Sequence, residues 1–272
     1  MTAFFAGRPP GEPGLVVFLN AGDPPLDVLR DVVRMLDDCG VDGLELAVPF
    51  PDSPYDGPAV RRSAQRALAG GIALDDVLAF VAAVRPTLRH LRIVLVADWS
   101  HTARHRPDFM AGVRASGSDA LLLLGPPPRL VADYHEAAAR AGVPVVATCY
   151  ATSTAEVRAA AGRAASAYLY LVARYGTTGA APRTGFATLT GVIGELRGHT
   201  GAPVAVGFGV GNRDDVAALG TAGADAVVVG SAVVSRVERA LATGQDVVAD
   251  LRHYVAELRG HSIPLSPVGG TT

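Results

Sequence analysis

The stretch Ala222-Gly223-Ala224-Asp225-Ala226-Val227-Val228-Val229-Gly230-Ser231-Ala232-Val233-Val234 holds one structural period of this chain. Gly223 ends the helical pattern of residues 213–222, because glycine accepts the left-handed conformation of a helix C-terminal cap. Residues 226–229 are a brief, unbroken, valine-rich run, as buried parallel strands are. Gly230-Ser231 then turns the chain toward the next helix. The same helix ending recurs at Cys39-Gly40-Val41-Asp42, Ser116-Gly117-Ser118-Asp119 and Ala141-Gly142-Val143-Pro144.

Working outward, strand-like runs fall at residues 15–19, 43–46, 92–97, 120–124, 143–148, 167–172, 203–206 and 226–229. Helical patterns lie between them, at 26–39, 58–69, 74–84, 108–115, 130–141, 155–164, 187–196 and 213–222, and a final long helix is expected over about 236–258. The period of roughly 25–30 residues is that of a βα unit. Eight such units predict an α/β fold, a (β/α)8 TIM barrel. A doubly wound open sheet is the rival. Its dinucleotide fingerprint is absent after the first strand, where the chain reads Asn20-Ala21-Gly22-Asp23-Pro24-Pro25. No linker divides the chain, so residues 1–265 are read as one barrel domain and 266–272 as a disordered tail.

Composition excludes several function classes. The chain has 272 residues, 49% hydrophobic and 18% charged, with a net charge of −2. That charge makes no case for nucleic acid or anionic membranes, and no run approaches the roughly 20 apolar residues of a membrane span. The N-terminus does not read as a signal peptide. Cys39 and Cys149 are far apart, without metal-ligand spacing, and read as isolated thiols in a reducing cytoplasm. The sequence contains no lysine. A Schiff-base mechanism and a P-loop are both excluded, since each needs that amine.

Candidate chemistry centres on Leu44-Glu45-Leu46-Ala47-Val48-Pro49-Phe50-Pro51-Asp52-Ser53-Pro54-Tyr55-Asp56-Gly57-Pro58. Glu45 sits in an apolar strand, where burial favours the neutral acid and raises its pKa, as a proton-transferring carboxyl requires. Asp56 lies in the following loop and is expected to stay ionised, which suggests separate acid and base roles. Asp56 could equally cap the helix beginning at Pro58, and Glu45 could be a structural acid of the core.

Glycine-rich loops follow the seventh and eighth strands: Gly207-Phe208-Gly209-Val210-Gly211-Asn212 and Gly230-Ser231-Ala232. In a barrel these positions often bind phosphate, through backbone amides that glycine lets an anion approach and through the N-terminus of the following helix. Ser231 can add a hydroxyl donor. Gly176-Thr177-Thr178-Gly179 is a candidate third wall.

These motifs together resemble the alpha subunit of tryptophan synthase, from about Gly14 to Glu238. The resemblance is densest at Phe18 to Pro24, at Glu45 to Pro58, at Tyr168-Leu169-Tyr170 through Arg174 to Gly179-Ala180, and at Gly207 to Val210 with Gly230 to Val233. It implies a cofactor-free retro-aldol cleavage of indole-3-glycerol phosphate to indole and glyceraldehyde 3-phosphate. It also implies that Glu45 is the acid/base, that Asp56 engages the indole N–H, and that Tyr170 lines the site near the glutamate. Gly179, Gly207, Phe208, Gly209, Gly230 and Ser231 would cradle the phosphate. Phe18 and Phe50 could pack the indole ring.

The chain departs from the family pattern after the third strand, where it reads Asp98-Trp99-Ser100-His101, after the fourth at Leu124-Gly125-Pro126, and after the fifth at Thr148-Cys149-Tyr150-Ala151. An extra residue near Arg183-Thr184-Gly185 lengthens the loop after the sixth. The family's beta-type partner meets the loops after the second and third strands. The departures therefore suggest stand-alone release of indole. Two rivals remain: a lyase or isomerase on another phosphorylated aromatic or sugar, and a non-catalytic subunit that activates a partner.

Overall fold

The computed structural model describes residues 4–5, 11–173, 186 and 188–260. The eight strands are β1 (Gly14–Asn20), β2 (Gly43–Ala47), β3 (Arg92–Asp98), β4 (Ala120–Leu124), β5 (Ala147–Tyr150), β6 (Leu169–Val172), β7 (Val204–Gly207) and β8 (Ala226–Val229). All pair in parallel, in the order β4-β3-β2-β1-β8-β7-β6-β5, and a bridge between Leu121 and Val145 brings the two ends of the sheet together. The result is a nearly closed (β/α)8 barrel. The helices outside it are α1 (Leu26–Asp38), α2 (Pro58–Ala69), α3 (Leu74–Val84), α4 (Phe109–Ser116), α5 (Val131–Ala141), α6 (Ala155–Ala164), α7 (Leu189–Arg197), α8 (Arg213–Thr221), α9 (Ser231–Thr243) and α10 (Val247–Arg259).

Strand alternation divides the core into two layers. Val16, Val94, Val96, Leu122, Val146, Tyr168, Tyr170 and Val228 fill the barrel. Val17, Leu44, Leu46, Leu95, Leu121 and Val227 point outward into the strand–helix layer. Phe4 and Phe5 close the N-terminal end, their rings 5.2 and 5.4 Å from that of Tyr168, with the Arg92 guanidinium 5.0 Å over Phe4. The C-terminal end is left open, and the candidate residues gather there.

Two expectations are corrected. The single final helix over 236–258 is two helices. Gly244 adopts a left-handed φ of 66°, which ends α9, and the Asp246 side chain accepts from the Val248 and Ala249 amides to start α10. The fifth strand begins at Ala147 rather than 143, because residues before it meet β4 only through the Leu121–Val145 bridge. The expected tail 266–272 lies outside the described residues.

Candidate active site

Glu45 is fixed by the period of β2. Leu44 and Leu46 face the helices, so Glu45 faces the barrel, in register with Phe18 on β1 and Val94 on β3. It is 2% exposed. The Tyr168 hydroxyl donates to its Oε1 at 2.6 Å. Burial pushes the Glu45 pKa up to about 7, against the smaller opposing effect of that hydrogen bond.

Above Glu45 a cavity of about 480 Å³ opens at the C-terminal end of the strands, and Phe18, Asp56, Tyr170, Phe208 and Gly230 share its wall with Glu45. Asp56 comes from the loop leading into α2. It is not the cap of that helix; Gly57 holds the N-cap position and Pro58 begins the helix. Asp56 lies in the loop after β2, as expected, and is partly buried there. Burial raises its pKa, while the nearby Ser53 hydroxyl and Arg61 charge act in the opposite direction. The two carboxyls therefore differ in degree of burial rather than in kind.

Tyr170 is buried, and its hydroxyl pKa is raised well above the usual value by burial and then by the charges of Glu45 and Asp56. Its place is carved by Gly207. A Cβ built on Gly207 would lie 2.2 Å from the Tyr170 hydroxyl oxygen and 2.5 Å from Cε2 of its ring. The glycine at the end of β7 thus makes room for the tyrosine, and Gly207 is not on the wall of the neighbouring cavity over Gly209 and Ser231. Phe50 is not on the cavity wall either; its ring stacks on His101 at 5.7 Å.

A second cavity, of about 390 Å³, shares Tyr170, Phe208, Val228 and Gly230 with the first and extends over Gly209 and Ser231. Phe208 and Gly209 have φ of 77° and 89°. For a phenylalanine that conformation is strained, and the glycine after it leaves the backbone open to close approach. The start of α8 is unavailable to an anion, because the Asp215 carboxylate accepts from the Gly211 and Asn212 amides at 2.9 and 3.2 Å. The start of α9 carries no side-chain cap. Gly230, Ser231 and Ala232 at that start line the cavity, with Ser235 one turn on, and the free amides of a first helical turn favour an anion. Gly179, like the rest of 176–179 and 183–185, lies outside the described residues.

Several residues of the site were not singled out from the sequence. Tyr168 holds Glu45 from beneath the cavity, and its signal was the two-residue spacing from Tyr170, which turns both inward, Tyr168 just before β6 and Tyr170 on it. Tyr55, Thr148 and Tyr150 line the main cavity. At the rim, Asp98 is 5% exposed and its Oδ1 accepts from both the His101 amide and the His101 ring Nδ1 at 2.8 Å. The altered loop after β3 is thereby folded back on its own strand.

The walls are tied together behind the site. The Asn20 amide at the end of β1 donates to Val60 O at 3.2 Å and Ser63 Oγ at 3.0 Å, which fixes α2 and the loop carrying Asp56. Arg66 on α2 makes a two-pronged ion pair with buried Asp23 at 2.9 and 2.8 Å and reaches Glu238 on α9 at 2.8 Å. Arg62 adds two further bonds to Glu238 at 2.8 and 2.7 Å. The loop carrying Asp56, α2 and α9 are thus one assembly. Cys149 is buried and its thiol is pushed up to about 11, far from reactive; Cys39 is half-buried. Among the described residues no cluster of His, Cys, Asp and Glu could hold a metal ion, and no single helix is long and apolar enough to cross a membrane.

Comparison with known proteins agrees with this geometry. The sequence profile described as "Tryptophan synthase alpha chain" matches residues 4–262. The tryptophan synthase alpha chain of Burkholderia multivorans is 37% identical over 250 residues, 92% of this chain and 91% of that protein. That of Burkholderia thailandensis is 37% identical over 251 residues, again 92% and 91%. Among solved structures, Mycobacterium tuberculosis tryptophan synthase superposes with a TM-score of 0.81 at 27% identity, covering 94% of this chain and 95% of that one. The tryptophan synthase A-subunit of Pyrococcus furiosus gives 0.81 at 30% identity, covering 91% and 98%.

Proposed function

The chain belongs to the tryptophan synthase alpha chain family, and on that premise we propose that it is a lyase cleaving indole-3-glycerol phosphate to indole and glyceraldehyde 3-phosphate. The observation that carries this reading is Glu45: one carboxyl inside an apolar barrel, held by a tyrosine, with a pKa of about 7. At neutral pH such a group is present in both protonation states, as a residue that must give and then take a proton requires.

The chemistry runs on this chain's side chains. Glu45 delivers its proton to C3 of the indole ring, which turns the ring into an indolenine-like cation. Asp56, on the same cavity wall, stabilises the positive charge developing at the ring nitrogen. The glutamate then accepts the proton of the adjacent side-chain hydroxyl. The C3–carbon bond breaks, its electron pair restores the aromatic ring, and the side chain leaves as an aldehyde. Protons balance, since Glu45 donates one and recovers one. The phosphate is held by the amides of Gly209 and the open start of α9 with Ser231. Its charge favours the helix N-terminus, and its distance from the breaking bond turns binding energy into orientation. Phe18 and Phe208 flank the ring.

The decisive experiment is indole release from indole-3-glycerol phosphate by wild type, Glu45→Gln and Asp56→Asn in parallel. Loss of about 10²–10⁴-fold in kcat for Glu45→Gln is expected of a general acid/base. Activity surviving both substitutions would sink the mechanism. We further infer that indole is released without dependence on a beta-type subunit. The loop after β3, where the family meets that partner, is here rewritten and tied to Asp98. Unchanged kcat on titration with a beta subunit supports this; a large rise overturns it.

A further inference from the structure

The barrel is not evenly closed. The Leu121 amide donates to Pro144 O at 2.9 Å and the Val146 amide to Leu121 O at 3.0 Å, which joins β4 to the segment just before β5 at the N-terminal end of the sheet. Beyond that bridge no register joins Leu122–Leu124 to Ala147–Tyr150. Neighbouring pairs run on to the mouth: β3–β4 as far as Asp98 with Leu124, and β5–β6 as far as Tyr150 with Val172. The two strands therefore splay apart at the end of the barrel that carries the site. Thr148 records the gap. It is in register with buried Tyr170 and shares its inward direction, yet it is exposed.

The cavity above Glu45 passes through this gap. Its wall includes inward-facing Leu122 and Val146 and also Leu123 and Ala147, which belong to the helix-facing layer. Residues from both faces of a sheet can border one cavity only where the sheet is interrupted. On the far side the cavity continues between α5 and α6, along Tyr134, Ala161 and Ala164. Alanines on α6 leave the space unfilled.

The gap also lies in a defined direction. In a ring of eight strands β4 stands opposite β8, whose end begins the anion pocket. A substrate anchored by its phosphate over Gly230 and Ser231 reaches across the mouth, past Tyr170 and Phe208, with its aromatic end toward the break. We propose that the break between β4 and β5 is an aryl annex of the active site, so that this enzyme accepts indole-3-glycerol phosphates bearing an apolar substituent on the benzo ring. The inference rests on the lyase reading and names its substrate range.

The test compares kcat/KM for the parent compound with those of its four methyl regioisomers on the benzo ring. A pocket shaped to the parent alone would reject an added methyl by roughly tenfold or more. The annex predicts at least one regioisomer cleaved as well as the parent or better. It also predicts that Ala161→Phe, which fills the annex, lowers the methyl-to-parent ratio of kcat/KM at least tenfold, with Ala164→Leu as the second variant if the first does not fold. Rejection of all four isomers, or a ratio unmoved by both substitutions, overturns the annex. Should neither parent nor isomers be cleaved, the lyase reading fails by itself. Calorimetry with the indole-3-propyl phosphates, which lack the hydroxyl and cannot react, then decides the annex. A methyl analogue binding at least as tightly as the parent analogue supports it, and weaker or absent binding of all four overturns it.

Discussion

Replacing Glu45 with glutamine separates the energetic cost of the buried acid from its chemistry. The carboxyl has an ordinary pKa of 4.5 and a folded-state pKa of about 7. Below about pH 4.5 it is protonated in both states, and folding carries no penalty. Between the two values the unfolded chain ionises while the folded protein keeps its proton. Stability then falls by about 1.4 kcal/mol per pH unit. Above pH 7 both states are ionised and the loss levels off, at about 3 kcal/mol from the separation of the two pKa values. A raised folded pKa thus gives stability that is full in acid and lost as pH rises through 7. Glutamine has no proton to lose, and its carbonyl oxygen can still accept from the Tyr168 hydroxyl. Glu45→Gln should therefore match wild type at pH 4 and exceed it by about 3 kcal/mol at pH 8. Denaturant unfolding of both proteins at several pH values measures the difference, in which the titration of all other groups cancels. A difference that is flat with pH, or that favours wild type in base, would refute the assignment of Glu45 as a buried acid with a raised pKa.

Further predictions concern its neighbours. Tyr168→Phe removes the hydrogen bond that opposes the effect of burial on Glu45, so the basic limb of the kcat/KM–pH profile should move upward from about 7; an unmoved limb contradicts it. Gly207→Ala places a Cβ where the Tyr170 hydroxyl now sits. Displacement of that ring should lower kcat at least tenfold and cost about 1–3 kcal/mol from overpacking, read by kinetics and denaturant melts. Arg66→Met leaves Asp23, which is 2% exposed, without its charge partner. The arginine is 35% exposed, so the expected loss is about 2–3 kcal/mol, below the full penalty of a deeply buried pair, by urea unfolding. Ser231→Asp puts a carboxylate at the open start of α9 and should raise KM by at least tenfold while leaving the unphosphorylated indole-glycerol compound unaffected.

The fold was legible because its signals are local and repeat. The valine-rich runs, the glycine caps at Gly40, Gly117, Gly142 and Gly223, and the helical spacing between them agree with one another, and agreement across levels is what specifies a barrel. The joint between α9 and α10 was missed because Gly244 and Asp246 interrupt a helical period that continues on both sides. Glu45 was legible as a polar residue at an apolar position. Tyr168 was not, since nothing in a strand pattern says which of two inward tyrosines reaches across 123 residues of sequence to a carboxylate. A second role of Gly207 was hidden for the same reason. A glycine beside a phosphate-type loop reads as an anion contact, and only the tertiary structure reveals that the space it leaves belongs to Tyr170. The gap between β4 and β5 is a missing pairing, and sequence patterns report residues rather than the bonds between strands.

Departures from structural consistency gather at one end of this molecule. The N-terminal end of the barrel is filled by Phe4, Phe5 and Tyr168, with a cation over an aromatic face. At the C-terminal end stand a buried acid, a phenylalanine with a φ of 77°, and two strands that part company. Each departure costs stability at its own position, and each leaves a chemical capacity unfilled: a proton to give, a backbone that a ligand can approach, and room for an aromatic ring. Independent defects would be scattered through the fold. Their convergence on one cavity, opposite a consistent and tightly packed base, identifies the C-terminal mouth as the place where stability has been exchanged for function.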